Sequence, residues 1–128
     1  MRELLFVYNV DLTPVALVSD FIHRITSPET YPCRLCDLTY DRFTMKREWK
    51  RFLATLQVRT RFELRDGFRR KFPAHADVPL PAIFEVGADD TLQVLVSAEM
   101  LTRVSNLADL EGLLMRVLNS RGQTRART

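Results

Sequence analysis

A chain of 128 residues, 46% apolar and 27% charged, is long enough to bury one core and too hydrophobic for a disordered segment. Its net charge of +3 is unevenly spread: residues 42–71 carry eleven Lys and Arg against Glu48, Glu63 and Asp66, a local +8 that leaves −5 for the remainder. Glu3, Asn9, Asp11 and Asp20 interrupt the apolar stretches at the start, and Leu4 to Val10 falls far short of the roughly 20 apolar residues a membrane span needs, so neither a secretory signal nor a membrane partner is expected, and a cytoplasmic location is.

The first run, ELLFVYNV from Glu3 to Val10, reads as a strand buried on both faces at the centre of a sheet. Thr13-Pro14 then supplies a cap residue and a first-turn proline, and Leu17, Val18, Phe21, Ile22 and Ile25 recur on one helical face until Ser27-Pro28 ends the run. Residues 27–43 read as a loop with a helical turn starting at Cys33. Thr44 is placed to cap a second helix, with Met45, Trp49, Phe52, Leu53 and Leu56 inward and Lys46, Arg47, Lys50 and Arg51 outward. From Gln57 to Glu63, Val58, Thr60 and Phe62 alternate with Arg59, Arg61 and Glu63, the period of a strand near a sheet edge. Leu64 to Phe72 suits a short basic helix stopped by Pro73. Ala82 to Val86 and Leu92 to Ser97 flank Gly87-Ala88-Asp89-Asp90 as a β-hairpin. Ser105 or Asn106 caps a closing helix with Leu107, Leu110, Leu113, Leu114, Val117 and Leu118 inward and Asp109 and Glu111 in its first turn. One domain over 1–119 is expected, followed by a flexible basic tail at 120–128.

A β-α-β half with a helical insertion after its first helix, followed by β-β-α, resembles the thioredoxin-like fold: an α/β domain with a four-stranded mixed sheet flanked by helices. Leu80-Pro81, just before the strand AIFEV, carries the resemblance together with the hairpin and the closing helix, because thioredoxin-like proteins place a cis-proline there; it implies that Pro81 lines a substrate groove if the cysteine loop reaches it, and a loop proline in trans is the plainer alternative. The chain is also similar to a small group of uncharacterised bacterial proteins. They share Phe6-Val7-Tyr8-Asn9 and the segment Ser27-Pro28-Glu29-Thr30-Tyr31-Pro32-Cys33-Arg34-Leu35-Cys36-Asp37-Leu38-Thr39-Tyr40, a resemblance that brings no activity with it.

Both cysteines stand in C-x-x-C, and three chemistries are open to them. In the first, Cys33 attacks a disulfide and Cys36 resolves it, since a dithiol enzyme needs one thiolate of lowered pKa, at a helix start or beside a cation such as Arg34, and a second thiol nearby. Thioredoxin-like enzymes carry this motif directly after the first strand, where this chain has Asn9-Val10-Asp11-Leu12. The displaced motif is expected toward the far end of the first helix, about 12 helical residues or roughly 18 Å from that site and from Pro81. In the second, Cys33 and Cys36 contribute to a zinc site with His23, or with His75, Asp37 or Asp41, although no second C-x-x-C and no spaced histidine pair completes it. In the third, the cysteines are small buried hydrophobes. The first needs no cofactor and implies a protein thiol or disulfide as partner.

Lys46, Lys50, Arg59, Arg61, Arg69 and Arg70 form a candidate basic surface for an acidic protein partner or, less well supported, nucleic acid; a solvated face is the plainer reading. With four glycines and no phosphate loop, G-x-S-x-G or H-E-x-x-H, nucleotide and common hydrolase chemistry is not expected. The function expected is therefore thiol-disulfide exchange through Cys33 and Cys36, or binding without catalysis through zinc or the basic surface.

Overall fold

The computed structural model describes residues 2–10, 22, 33–40 and 45–126. Apart from Ile22, which is helical, the helix expected over residues 14–25 lies outside them. The architecture is α/β, built on a four-stranded mixed sheet.

Strand β1 (Glu3–Tyr8) occupies the middle of the sheet, as an almost uninterrupted apolar run requires, because each face must be covered. It pairs in parallel with β2 (Arg59–Leu64), Glu3 opposite Arg59 and Tyr8 opposite Leu64. Its other neighbour is antiparallel β3 (Ala82–Val86), with Val7 opposite Ala82, and β3 in turn pairs antiparallel with β4 (Leu92–Val96). The order β2-β1-β3-β4 leaves β2 and β4 at the edges.

Alternation along β1 divides the core in two. Leu4, Phe6 and Tyr8 face a large cluster built with α1 (Arg34–Thr39), α2 (Arg47–Thr55), α4 (Ala98–Thr102) and α5 (Leu107–Ala126), in which Leu35, Trp49, Leu101, Leu110 and Leu114 are fully buried. Leu5 and Val7 face a smaller cluster with Phe84 and with Phe68 and Phe72 at α3 (Arg65–Lys71). The phenylalanines of this basic helix explain its place: one apolar side covers the sheet while Arg69, Arg70 and Lys71 stay wet.

Three local expectations are corrected, and the hairpin is refined. Helix α2 starts at Arg47, with Lys46 at the cap position and no side-chain cap, rather than at Thr44; Met45 instead bridges Tyr40. The expected hairpin forms, with Asp89 (φ 56°) and Asp90 (φ 57°) as its left-handed residues, a region aspartate tolerates, while Gly87 serves by closeness, since a Cβ there would lie 2.7 Å from Thr91 Oγ1. Helix α4 has no counterpart in the sequence reading: Ser97, read as the end of a strand, accepts a hydrogen bond from the Met100 N–H and caps it. Finally, α5 runs on to Ala126, through most of the segment taken as a tail from residue 120. Its start is as expected, for Asn106 Oδ1 accepts from the Asp109 N–H.

Candidate functional site at the end of the central strand

Beyond Tyr8 the chain leaves the sheet through Asn9 and Val10, and three contacts converge there. The Arg65 main-chain N–H donates to the Val10 carbonyl at 2.8 Å, carrying the β1–β2 pairing one step past the strands. Arg65 Nη1 donates to Asn9 Oδ1 at 3.2 Å. The Asn9 main-chain N–H, turned the other way, donates to Cys33 Sγ at 3.3 Å. Cys33 immediately precedes α1 and is 0% exposed. It is disulfide-bonded, and the sequence holds one other cysteine, Cys36.

The segment carrying Cys33 is anchored under the sheet from both ends of α1. Leu35 and Leu38 are buried in the larger core, the Thr39 hydroxyl donates to the Leu35 carbonyl at 2.7 Å, and the Lys46 N–H donates to the Thr39 carbonyl at 2.8 Å. Tyr40 then meets Tyr8 edge to face at 5.6 Å between ring centres. These contacts fix the position of α1 against the end of β1.

This geometry overturns the placement of the cysteine motif far from the first strand. Cys33 returns to the C-terminal end of β1, the place where the sequence offers Asn9 and Val10 instead of cysteine. Burial of Leu35 and Leu38 supplies the reason, since helical spacing puts both on the side of α1 that faces the core. The Leu80-Pro81 bond is cis. Because Ala82 pairs with Val7, Pro81 stands one residue beyond it at the same end of the sheet. The burial of Cys33 does not suit the attacking role that the motif order suggests, because an external thiolate needs a line of approach to the sulfur.

The remaining expected site residues are dispersed. His75 rests against Phe84 of the smaller core at 6.3 Å between rings, across the sheet from the larger core that holds Cys33, and so does not share a site with it. His23, Asp41 and the side chains of Cys36 and Asp37 fall outside the described residues, and among the described residues no group of three His, Cys, Asp or Glu could hold a metal ion. A sulfur already committed to a disulfide also lacks the thiolate that zinc requires.

The basic residues divide around the β2 edge. Lys46 and Lys50 belong to the α2 layer, while Arg69 and Arg70 belong to α3 on the opposite face. Arg61 is engaged by Asp90 at 3.4 Å and Glu3 at 3.9 Å and lies over the Phe72 ring, whereas Arg59 at the strand start is exposed. A cleft of about 310 Å³ opens at the other end of this edge, lined by Tyr8, Tyr40, Phe62, Leu64, Arg70 and Lys71. Within it Lys71 is paired with Glu63 at 2.6 Å, so it does not offer a uniform positive surface.

Tyr8 closes the floor of the cleft. Its hydroxyl is buried and makes no hydrogen bond of proper geometry, although the Thr39 and Tyr40 hydroxyls lie close enough to act on its ionisation. Burial, and secondarily Tyr40, push the phenol well above its ordinary value of 10.0. Asn9 and Tyr8 escaped the sequence reading as site residues. The available signals were a polar Asn closing an otherwise apolar strand and the shared Phe6-Val7-Tyr8-Asn9 segment. Compared with known proteins, the chain matches no family model, no curated protein and no solved structure. No helix among the described residues is long and apolar enough to cross a membrane.

Proposed function

We propose that the chain is a thioredoxin-like thiol-disulfide exchange domain whose working group is the bridge that contains Cys33. The observation that carries this reading is the return of the disulfide-bonded Cys33 to the end of β1, where the Asn9 N–H meets its sulfur at 3.3 Å. Two further features support it. The sheet order β2-β1-β3-β4, with β3 antiparallel to the other three strands, is the arrangement that the thioredoxin-like resemblance implies. Pro81, in its cis form, stands at the same end of the sheet as the sulfur.

The size of the ring favours exchange over a purely structural bond. A bridge between Cys33 and Cys36 closes so short a loop that it restricts the unfolded chain by only about 2 kcal/mol, less than a long-range staple would. Its chemistry is a more distinctive asset than its stabilisation. In the exchange, a thiolate from a protein partner opens the bridge, and the reverse reaction restores it.

The test is a redox titration of the native protein in glutathione buffers, read by thiol labelling after an acid quench. The expected result is a reversible two-thiol transition, together with faster reduction of a disulfide-bonded protein in the presence of the chain, both lost in Cys33→Ala. A bridge that stays closed at every glutathione ratio and opens only when the protein is denatured would make it structural and reject the reading.

A further inference from the structure

Exchange at a bridge needs one sulfur to receive the incoming thiolate and another to leave. Cys33 is 0% exposed, packed in the same core cluster as Leu35, Leu38 and Val10, so an external thiolate has no open path to it. What the structure provides at this sulfur is a donor: the Asn9 main-chain N–H at 3.3 Å. A neutral disulfide sulfur gains little from that contact, whereas a thiolate gains a charge-assisted hydrogen bond in surroundings that exclude water. The N–H is itself held in place. Arg65 grips the Asn9 side-chain carbonyl at 3.2 Å with its guanidinium and the Val10 carbonyl at 2.8 Å with its own main-chain N–H, so the Asn9 side chain and the main chain that follows it are both held.

We propose, building on the exchange reading above, that Cys33 is the sulfur that leaves, that the Asn9 N–H holds the thiolate so formed, and that Arg65 is the positioning residue that keeps Asn9 there. The incoming thiolate forms a bond to the Cys36 sulfur, the bond between the two cysteine sulfurs breaks, and its electron pair remains on Cys33. In the reverse direction the Cys33 thiolate attacks the mixed disulfide at Cys36 and expels the partner thiolate. The partner's sulfur supplies the electrons, and no other oxidant or reductant enters. This reverses the roles expected from the motif order. It also gives the Arg65 guanidinium a function: a permanent positive charge two hydrogen bonds from the thiolate favours the reduced state.

Two measurements test the proposal. In folded single-cysteine proteins, Cys36 left alone by Cys33→Ser should form a mixed disulfide with oxidised glutathione at least about 10-fold faster than Cys33 left alone by Cys36→Ser. Equal rates, or a faster Cys33, overturn the role assignment. For Arg65, the equilibrium of the bridge with glutathione is measured in Arg65→Ala, Asn9→Ala and the double variant, each checked for native circular dichroism. Arg65→Ala should shift the equilibrium about 3- to 10-fold toward the disulfide. Asn9→Ala keeps the main-chain N–H but removes the acceptor for Arg65, so it should give the same shift, and the double variant no more than either single one. Arg65→Lys should restore part of it, a recovery not expected of a merely structural role. Unchanged equilibria in the folded variants reject the positioning role while the exchange reading stands; failure of the wild-type bridge to equilibrate with glutathione rejects the exchange reading itself.

Discussion

At its N-terminal end β1 is fastened by charge, and at its C-terminal end by sulfur. Arg2 meets Glu85 of β3 with two hydrogen bonds, Nε to Oε2 at 2.9 Å and Nη2 to Oε1 at 3.2 Å, and reaches the Leu118 carbonyl of α5 at 2.8 Å. Glu85 is 3% exposed, so this end is a two-pronged clamp on a buried carboxylate, made by residues more than 80 apart in sequence. At the other end, hydrogen bonds join Asn9 to Cys33 and to Arg65 around a disulfide sulfur. The lesson is one of division of labour: the central strand is anchored at one end by a buried ion pair, and on the exchange reading proposed above the group that opens lies at the other end, where opening it leaves that anchor intact.

The strongest way to break this comparison is at the charged end. Arg2→Met takes the bidentate partner from a buried carboxylate, and a loss of about 2 to 3 kcal/mol is expected in denaturant titrations, below the full cost of breaking a buried pair because Arg2 is itself 24% exposed on its side chain. Adding Glu85→Leu should recover much of that loss, since two apolar groups no longer carry a desolvation cost. At the sulfur end the effect is smaller. Reduction of the bridge should cost about 2 kcal/mol in the same titration, and it should add to Arg2→Met within about 0.5 kcal/mol because residues 2 and 9 stand about 20 Å apart along an extended strand. A strongly coupled result would show that the strand transmits strain from end to end.

The smallest effect is expected at Tyr8, beside the sulfur. Its buried hydroxyl lacks a hydrogen bond of proper geometry, so Tyr8→Phe should be neutral or raise stability by up to about 1 kcal/mol at neutral pH. The sign of the pH dependence follows from burial, which lifts the folded phenol above its ordinary 10.0. Where the unfolded chain has lost this proton and the folded chain has kept it, stability falls as pH rises. The contribution is therefore complete below about pH 10 and declines above it. Stability curves of wild type and Tyr8→Phe should separate above that pH, the variant falling less steeply.

Much of the architecture was legible in the order of residues. The apolar run at Glu3–Tyr8 demanded a strand covered on both faces, the alternation through Arg59–Leu64 demanded an edge, and the leucines after Asn106 demanded a packed helix. Each signal is periodic and local, with neighbours two to four residues apart imposing the same choice on one another. Where the reading failed, a single local preference lost to something nearby it did not weigh. Ser97 capped a short helix instead of ending a strand, and the helix placed behind Thr44 starts at Arg47.

The candidate site obeys a different rule. Cys33 and Asn9 are 24 residues apart, and Arg65 and Asn9 are 56 apart, so no period in the sequence relates them. The sequence by itself determined the strands, the helix faces and the presence of two sulfurs three residues apart. Only the tertiary structure decided that the sulfur at Cys33 would lie sealed against the end of the central strand. That outcome depends on Leu35 and Leu38 burying their side chains in the larger core, a gain realised only once the sheet and its covering helices exist to receive them.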